Sequence, residues 1–370
     1  MKKFFALFIL LVAGFVLVGC AGKEYKIAMI TDSGDIDDRS FNQTTWEGIV
    51  AYGEENDVTH KYYKPTEISY NAYVAAIDLA IKNGAEIVVT PGYFFEQAIH
   101  FAQTKYPDIK FLLIDGSPNN VMDWDTMETY DDTDPDFTIA DNTLSVIYQE
   151  EQSGFLAGYA TVKDGHDNLG FFGGIKVPAV QRFGIGWIAG AYLAADELGI
   201  DLTFTADHYE YLNSFEASDA SKNKATTWFN SGVDVIHAAA GGAGNSAMTA
   251  ASTLTNKWVV GVDVDQSSQS DYVLTSATKA LARTVQDTLE AFYANAWVGG
   301  ISKTSGAEDF GVELPTNEDA WRFSTFTVAE YEALFDKLVD GTIVVPKTGA
   351  ELEAFLDNLG ITNADLIAKV

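Results

Sequence analysis

The sequence predicts an α/β protein with two lobes, and three observations carry that reading. Short apolar runs alternate with longer amphipathic stretches, the rhythm of parallel strands joined by crossover helices. That rhythm breaks after Tyr148 and restarts at Leu169. Carboxylates stand just past strand ends, at Asp32, Asp115 and Asp263, on the edge where open α/β sheets bind ligands. The 370 residues leave room for two domains of ordinary size, and 47% apolar content with 13% aromatics can supply a core for each.

Local pattern justifies each element of the first half. Ile27 to Ile30 is a strand, the polar stretch Thr31 to Gln43 a loop, and Asn42 to Glu55 a helix with Trp46, Ile49, Val50 and Gly53 at helical steps. Ser40 or Asn42 is available as its N-cap. Tyr62 and Tyr63 begin a weaker strand, and the helix Asn71 to Lys82 stops at the C-cap signal Asn83-Gly84. Ile87 to Thr90 is a third strand ended by Pro91-Gly92, Phe94 to Tyr106 a helix, and Phe111 to Ile114 a fourth strand that runs out at Asp115. The acidic stretch Asp123 to Asp136 lacks periodicity and has neither the Gly nor the terminal Glu of an EF-hand, so it reads as a solvated loop.

In the second half, Asn142 to Tyr148 is a strand leading into a helix from Glu150 to Val162. Leu169 to Gly174 is a strand and turn, and Val180 to Leu198 a helix whose small residues permit close packing. Strands follow at Asp201 to Ala206, Val233 to Ala239 and Trp258 to Val262, separated by helices Glu216 to Asn230 and Ala243 to Leu254. Tyr272 to Ser276 is a last strand, with Lys279 at the start of a helix reaching about Trp297, and two more helical stretches lie around Ile343 to Pro346.

A net charge of −30, from 53 acidic and 23 basic residues, argues against nucleic acid or an anionic membrane surface as partner of the folded body. The N-terminus is an export signal: Lys2 and Lys3 precede an apolar run from Phe4 to Val18 that is short for a spanning helix. Leu17-Val18-Gly19-Cys20 resembles a bacterial lipobox, which implies a lipoprotein signal peptide over 1–19 and a lipid on Cys20. Cys20 is the single cysteine, so the exported body has no disulfide framework or thiolate metal site.

Enzyme signatures are missing. Asp32 to Ile36 has no dinucleotide-binding glycine pattern and its carboxylates would repel a pyrophosphate; no P-loop occurs, and the five histidines lack metal-ligand spacing. Gly241-Gly242-Ala243-Gly244 offers backbone N–H groups to a ligand or is a simple tight turn. Of the pair Asp263 and Asp265, one faces a ligand and the other holds the loop. The same residues suit recognition of a small polar ring compound: Phe41 and Phe183 to stack, Asp32, Asn42 and Asp115 to hydrogen-bond, Asp263 with Lys279 to grip vicinal hydroxyls. A receptor for such a compound, a sugar or signalling-molecule receptor and an α/β enzyme acting on the same ligand all remain open on these residues.

The motifs add a family. Asp32-x-Gly34-x3-Asp38-x-Ser40-Phe41-Asn42-Gln43-x2-Trp46-x-Gly48 is joined by Phe155-Leu156-Ala157-Gly158-Tyr159-Ala160, Gly186-Trp187-x2-Gly190, Gly261-Val262-Asp263-x-Asp265-Gln266 and Thr275-Ser276-x2-Lys279. Across essentially the whole chain this resembles the basic membrane protein family, substrate-binding lipoproteins of ABC importers that include purine nucleoside receptors. The resemblance implies a type I periplasmic-binding-protein fold, two Rossmann-like lobes with three hinge crossovers. Its expected division is a tether over 20–25, an N-terminal lobe from 26–142 and 272–305, and a C-terminal lobe from 143–271 and 306–370.

It also implies a function without catalysis or cofactor: a monomer lipid-anchored at Cys20 on the extracytoplasmic face of the cell membrane, handing a nucleoside to ABC permease and ATPase subunits. Phe41 and Phe183 are expected on the base faces, with Trp187 one turn beyond Phe183 as a departure from the family. Asn42 and Asp115 are expected on the base edge, and Asp263 and Lys279 on the ribose hydroxyls.

Overall fold

The computed structural model describes residues 24–130 and 133–370. The signal segment 1–19 and Cys20 lie outside the described residues. In the first series, β1 (Ile27–Ile30), α1 (Phe41–Glu55), β2 (His60–Tyr63), α2 (Tyr70–Lys82), β3 (Ile87–Pro91), α3 (Glu96–Lys105) and β4 (Lys110–Ile114) alternate. A hairpin of β5 (Val121–Asp123) and β6 (Glu128–Thr129) precedes β7 (Thr143–Tyr148). The second series is α4 (Glu150–Lys163), β8 (Leu169–Gly173), α5 (Pro178–Leu198), β9 (Tyr209–Tyr211), α6 (Asp219–Asn230), β10 (Val235–Ala239), α7 (Gly244–Ala251), β11 (Trp258–Asp263) and β12 (Val273–Lys279). Then come α8 (Leu281–Tyr293), β13 (Ile301–Ser305), β14 (Val312–Glu313), α9 (Val328–Val339), α10 (Gly349–Asn358) and α11 (Ala364–Ile367).

Two six-stranded sheets result, ordered β13-β7-β4-β3-β1-β2 and β14-β12-β11-β10-β8-β9. All pairings are parallel except β12 with β14. The inner strands β1, β3, β4, β8 and β10 are buried on both faces by flanking helices, which is why they read as continuous apolar runs, whereas the edge strands β2 and β13 are partly exposed. Because parallel strands share one C-terminal edge, the exits of β1, β3, β4, β8, β10, β11 and β12 gather on facing edges of the two sheets.

The chain crosses between lobes at Gln149, Ala280 and Gly306. The expected boundaries at 143 and 272 therefore each fall one strand early. β7 pairs with β4 and β13 in the first sheet, and β12 pairs with β11 in the second. A crossover leaves from the end of a paired strand, so the strand stays with the lobe it completes. Two local expectations also change. Asp201 to Ala206 forms only a bridge from Thr203 to Asn168, and the edge strand is β9. Lys279 ends β12 rather than opening the next helix.

Helices α4 and α5 touch backbone to backbone. A Cβ added at Gly186 would meet the Glu151 carbonyl oxygen at 1.9 Å, and one at Gly190 the Phe155 oxygen at 2.0 Å. Gly154 and Gly158 face the Phe183 and Trp187 oxygens in the same way, each at 2.3 Å. The small residues of the two motif blocks are thus one interface seen from both sides, and it fixes where Glu150, Arg182 and Phe183 stand. Trp187 is fully buried in the second lobe's core against His237, with ring centroids 5.3 Å apart. Among the described residues no helix is long and apolar enough to cross a membrane.

Candidate functional site

A cleft of about 510 Å³ separates the lobes at those facing sheet edges. Asp32, Phe41, Asn42, Asp115, Phe183, Gly241, Asp263 and Lys279 all line it. Trp187 does not; it backs Phe183 through His237, whose ring lies 5.9 Å from Phe183.

The loop after β1 is built around carboxylates. Asp38 accepts hydrogen bonds from the backbone N–H groups of Ser40 (2.9 Å), Asn42 (2.9 Å) and Gln43 (3.1 Å), so it caps α1 in place of the expected Ser40 or Asn42. Asn42 donates through Nδ2 to Asp32 (2.8 Å) and Asp38 (2.9 Å), while its Oδ1 accepts from the Asp32 N–H (3.2 Å). Both ends of that amide are engaged in shaping the loop, which places Asn42 as a scaffold beneath the cleft wall rather than with a free edge toward a ligand. Burial pushes the Asp32 carboxyl up to about 6.

With Asp38 capping the helix, the Ser40 hydroxyl is free to donate to Asp263 Oδ2 across the cleft at 2.6 Å. Gln266 and Gln269 donate to the Arg39 carbonyl from the same side, at 3.1 and 2.7 Å. Gln266 also accepts from the Val262 N–H (3.1 Å), which ties the Gly-Val-Asp-x-Asp-Gln block into one turn. Asp265 holds that turn by accepting from the Ser267 N–H at 2.9 Å, while Asp263 faces the cleft.

Lys279 sits at the centre. Its ammonium lies 2.5 Å from Asp115, 3.2 Å from Asp263 and 3.5 Å from Glu150. Glu150, the first residue of α4 after the crossing from β7, also takes the Arg182 Nε–H at 2.6 Å. With Glu151 3.9 Å from Arg182, two cations thus stand among four carboxylates. Burial works against the Lys279 ammonium, but Asp115, Asp263 and Glu150 outweigh it and hold its pKa well above the usual lysine range. Burial pushes the Asp115 carboxyl up to about 7, with Lys279 pulling the other way. Burial alone would also raise Glu150, yet Arg182 and Lys279 hold it below its usual range.

Backbone conformation aims these groups. Asp115 (φ 57°) and Asp263 (φ 66°) adopt the left-handed region, which Asp tolerates better than most residues. Each turns its carboxylate from a strand exit toward Lys279. Gly241 (φ 52°) uses the same region to bring bare backbone to the wall.

The Lys279 ammonium is 4.8 Å from the Phe41 ring centre and 5.2 Å from that of Phe183, so the two rings lie within about 10 Å of one another. A flat ring held between them needs roughly 7 Å, two contacts of about 3.5 Å. The lining carries seven carboxylates against two lysines. That balance disfavours a phosphorylated ligand and suits an uncharged one rich in N–H and O–H donors.

Ser40, Glu150 and Arg182 were not among the sequence-derived site residues. A signal for the last two existed: Arg182 is the single Lys or Arg between Lys176 and Lys222, inside a predominantly apolar helix, and such a charge needs a buried partner. Ser40 stands in the motif, where its place before the helix reads as a cap.

The architecture defines a type I periplasmic-binding-like protein, two similar lobes around a solute cleft. The chain belongs to the Bmp family, ABC transporter substrate-binding protein PnrA-like, whose family model matches residues 25–348. It is 29% identical to a CD4+ T-cell-stimulating antigen of Listeria monocytogenes, over 94% of this chain and 99% of that one. It is 28% identical to the ABC transporter nucleoside-binding protein BmpA of Lactococcus lactis, covering 89% and 92% of the two chains. Among solved structures, an ABC transporter solute-binding protein from Aeropyrum pernix superposes with a TM-score of 0.73 at 18% identity, over 94% of this chain and 99% of that one, a likeness of fold.

Proposed function

We propose that the chain is a lipid-anchored receptor that takes a purine nucleoside between its lobes and delivers it to an ABC permease, with no catalytic step. The observation that carries the reading is the pair Phe41 and Phe183, one ring from each lobe, 4.8 and 5.2 Å from the Lys279 ammonium. Aromatic faces from opposite lobes can sandwich a base, while Asp115 takes its N–H edge and Asp263 with Lys279 takes the ribose hydroxyls. Two stacking contacts at about 1 to 3 kcal/mol each, with charge-assisted hydrogen bonds at about 1.5 to 3 each, are enough for micromolar affinity after association costs.

The Lactococcus relative named for nucleoside binding supports the ligand class. Calorimetry of the full chain in detergent with inosine, guanosine, adenosine and cytidine tests it, purines being expected to bind more tightly. Failure of all four below about millimolar removes the nucleoside and favours a sugar or signalling molecule. Chromatography of the bound ligand should recover it uncleaved. Mass spectrometry of the mature N-terminus should find acyl groups on Cys20 that Cys20→Ser abolishes.

A further inference from the structure

The hairpin β5–β6 and the segment after it do not line the cleft, yet they carry five exposed large apolar side chains. Met122, Trp124, Met127, Tyr130 and Phe137 are each 39 to 48% exposed, and Phe101 on α3 adjoins them at 40%. The rings are organised. Trp124 stacks on Phe137 with centroids 5.8 Å apart, Tyr130 lies 4.0 Å from Tyr70, and Tyr70 meets Phe101 edge-on at 6.5 Å.

The platform is anchored to the lobe. Gln97 on α3 donates to the Val121 carbonyl at 2.5 Å, and Asn120 Oδ1 accepts from the Asp136 N–H at 2.8 Å. Asp123, Asp125, Glu128, Asp134 and Asp136 belong to the same stretch, where no Lys or Arg occurs between Lys110 and Lys163; among the described residues the one cation against a platform ring, Lys105 over Phe101 at 5.2 Å, is paired with Asp78.

We propose that this acidic, aromatic face of the first lobe is the surface on which an importer's membrane-embedded subunit docks, through an extracytoplasmic loop presenting apolar side chains within a rim of Lys and Arg. The inference rests on the importer reading above. Aromatic and methionine side chains within a charged rim are what a transient protein interface uses, and opposite charge speeds encounter. The same charge opposes the other occupants. A second copy would bring like carboxylates face to face, and an anionic bilayer would repel them.

The test uses the full-length anchored chain in cells that depend on it for nucleoside uptake. In Trp124→Ala/Phe137→Ala, inosine affinity of the detergent-solubilised chain should stay within about twofold while tritiated inosine uptake falls about tenfold or more. Asp123→Asn/Asp125→Asn/Glu128→Gln, which leaves the rings in place, should lower uptake and flatten its dependence on salt. Photoreactive benzoylphenylalanine at position 124 should crosslink to a multi-spanning importer subunit.

Unchanged uptake in both variants, or crosslinks to a second copy or to lipid, would overturn the proposal. Should the unaltered chain bind none of the four nucleosides, the ligand reading fails instead. The crosslink still decides the docking face in that event.

Discussion

Ser40 Oγ and Asp263 Oδ2, 223 residues apart in the chain, meet across the cleft in a buried hydrogen bond of 2.6 Å. The hydroxyl comes from the first lobe's loop, and the carboxylate from the end of β11 in the second. Since Asp38 caps α1, removing the Ser40 hydroxyl leaves the helix start intact and takes away one of several ties between the lobes, those of Gln266 and Gln269 to Arg39 and of Lys279 to Asp115 remaining. Ser40→Ala should weaken nucleoside binding by about 1.5 to 3 kcal/mol, read by calorimetry, with little change in melting temperature. Asp263→Ala should cost ribonucleoside affinity far more than free-base affinity. A similar loss for both would take Asp263 off the ribose.

Phe41 opens α1 with its ring partly buried against the first lobe's core, and it lines the cleft. A ring that served only as a helix-start staple would matter to stability and not to ligand. Phe41→Ala is therefore expected to weaken nucleoside binding at least about tenfold, or 1.4 kcal/mol, while the melting temperature drops only slightly. Calorimetry and thermal scanning on the same sample separate the two roles.

How far the sequence reached is visible in these residues. Strand exits carrying Asp32, Asp115 and Asp263 were readable because parallel strands buried on both faces are continuous apolar runs with abrupt polar ends. Their convergence on one ammonium was not, because it depends on which strands neighbour each other and on the left-handed backbone at Asp115 and Asp263. Lys279 reads as the start of a helix because the apolar residues Val273 and Leu274 give way to mostly polar ones from Thr275 onward. Pairing with β11 and β14 instead keeps Thr278 and Lys279 in the strand. The edge strand β9 was missed for a related reason: Asp201 to Ala206 has the alternating pattern, but burial of Phe204 in the core satisfies it without a ladder. Ser40 was misassigned since a hydroxyl before a helix usually caps it, and Asp38 does so here.

Lys279 neutralises part of a buried group in which Asp115, Asp263, Glu150 and Glu151 stand against two cations, Lys279 and Arg182. Lys279→Met leaves Asp115, Asp263, Glu150 and Glu151 with Arg182 alone, and unpaired buried charge typically costs about 3 to 5 kcal/mol. The pH dependence has a definite sign. Asp115 already titrates above an ordinary aspartate, at about 7, because it is buried. A carboxyl raised in the folded state contributes stability that is present at low pH and lost as pH rises through that value. Without the lysine's opposing pull the carboxyl rises further. The melting temperature of Lys279→Met should therefore fall furthest below that of the unaltered protein at pH 8 and recover toward it near pH 5, as followed by circular dichroism. An equal deficit at both pH values would mean that lost packing, not charge, dominates.

Gly186 has no room for a methyl group. The Glu151 carbonyl oxygen would lie 1.9 Å from a Cβ there, and that oxygen belongs to helix backbone that cannot swing aside. Gly186→Ala must push α4 from α5, and the two helices carry Glu150 on one side and Arg182 with Phe183 on the other. The consequence should appear twice. Stability should fall by at least about 1 to 3 kcal/mol, as overpacking a tight core does, measured by urea unfolding. Nucleoside affinity should fall as well, because Phe183 and the Arg182–Glu150–Lys279 chain shift relative to Phe41. Gly165→Ala provides the control: a Cβ there meets nothing within 4 Å, and the residue's φ of 100° makes the substitution strained without any clash. It should lower stability through backbone strain and leave affinity unchanged, so that loss of affinity in Gly186→Ala alone reports the helix contact.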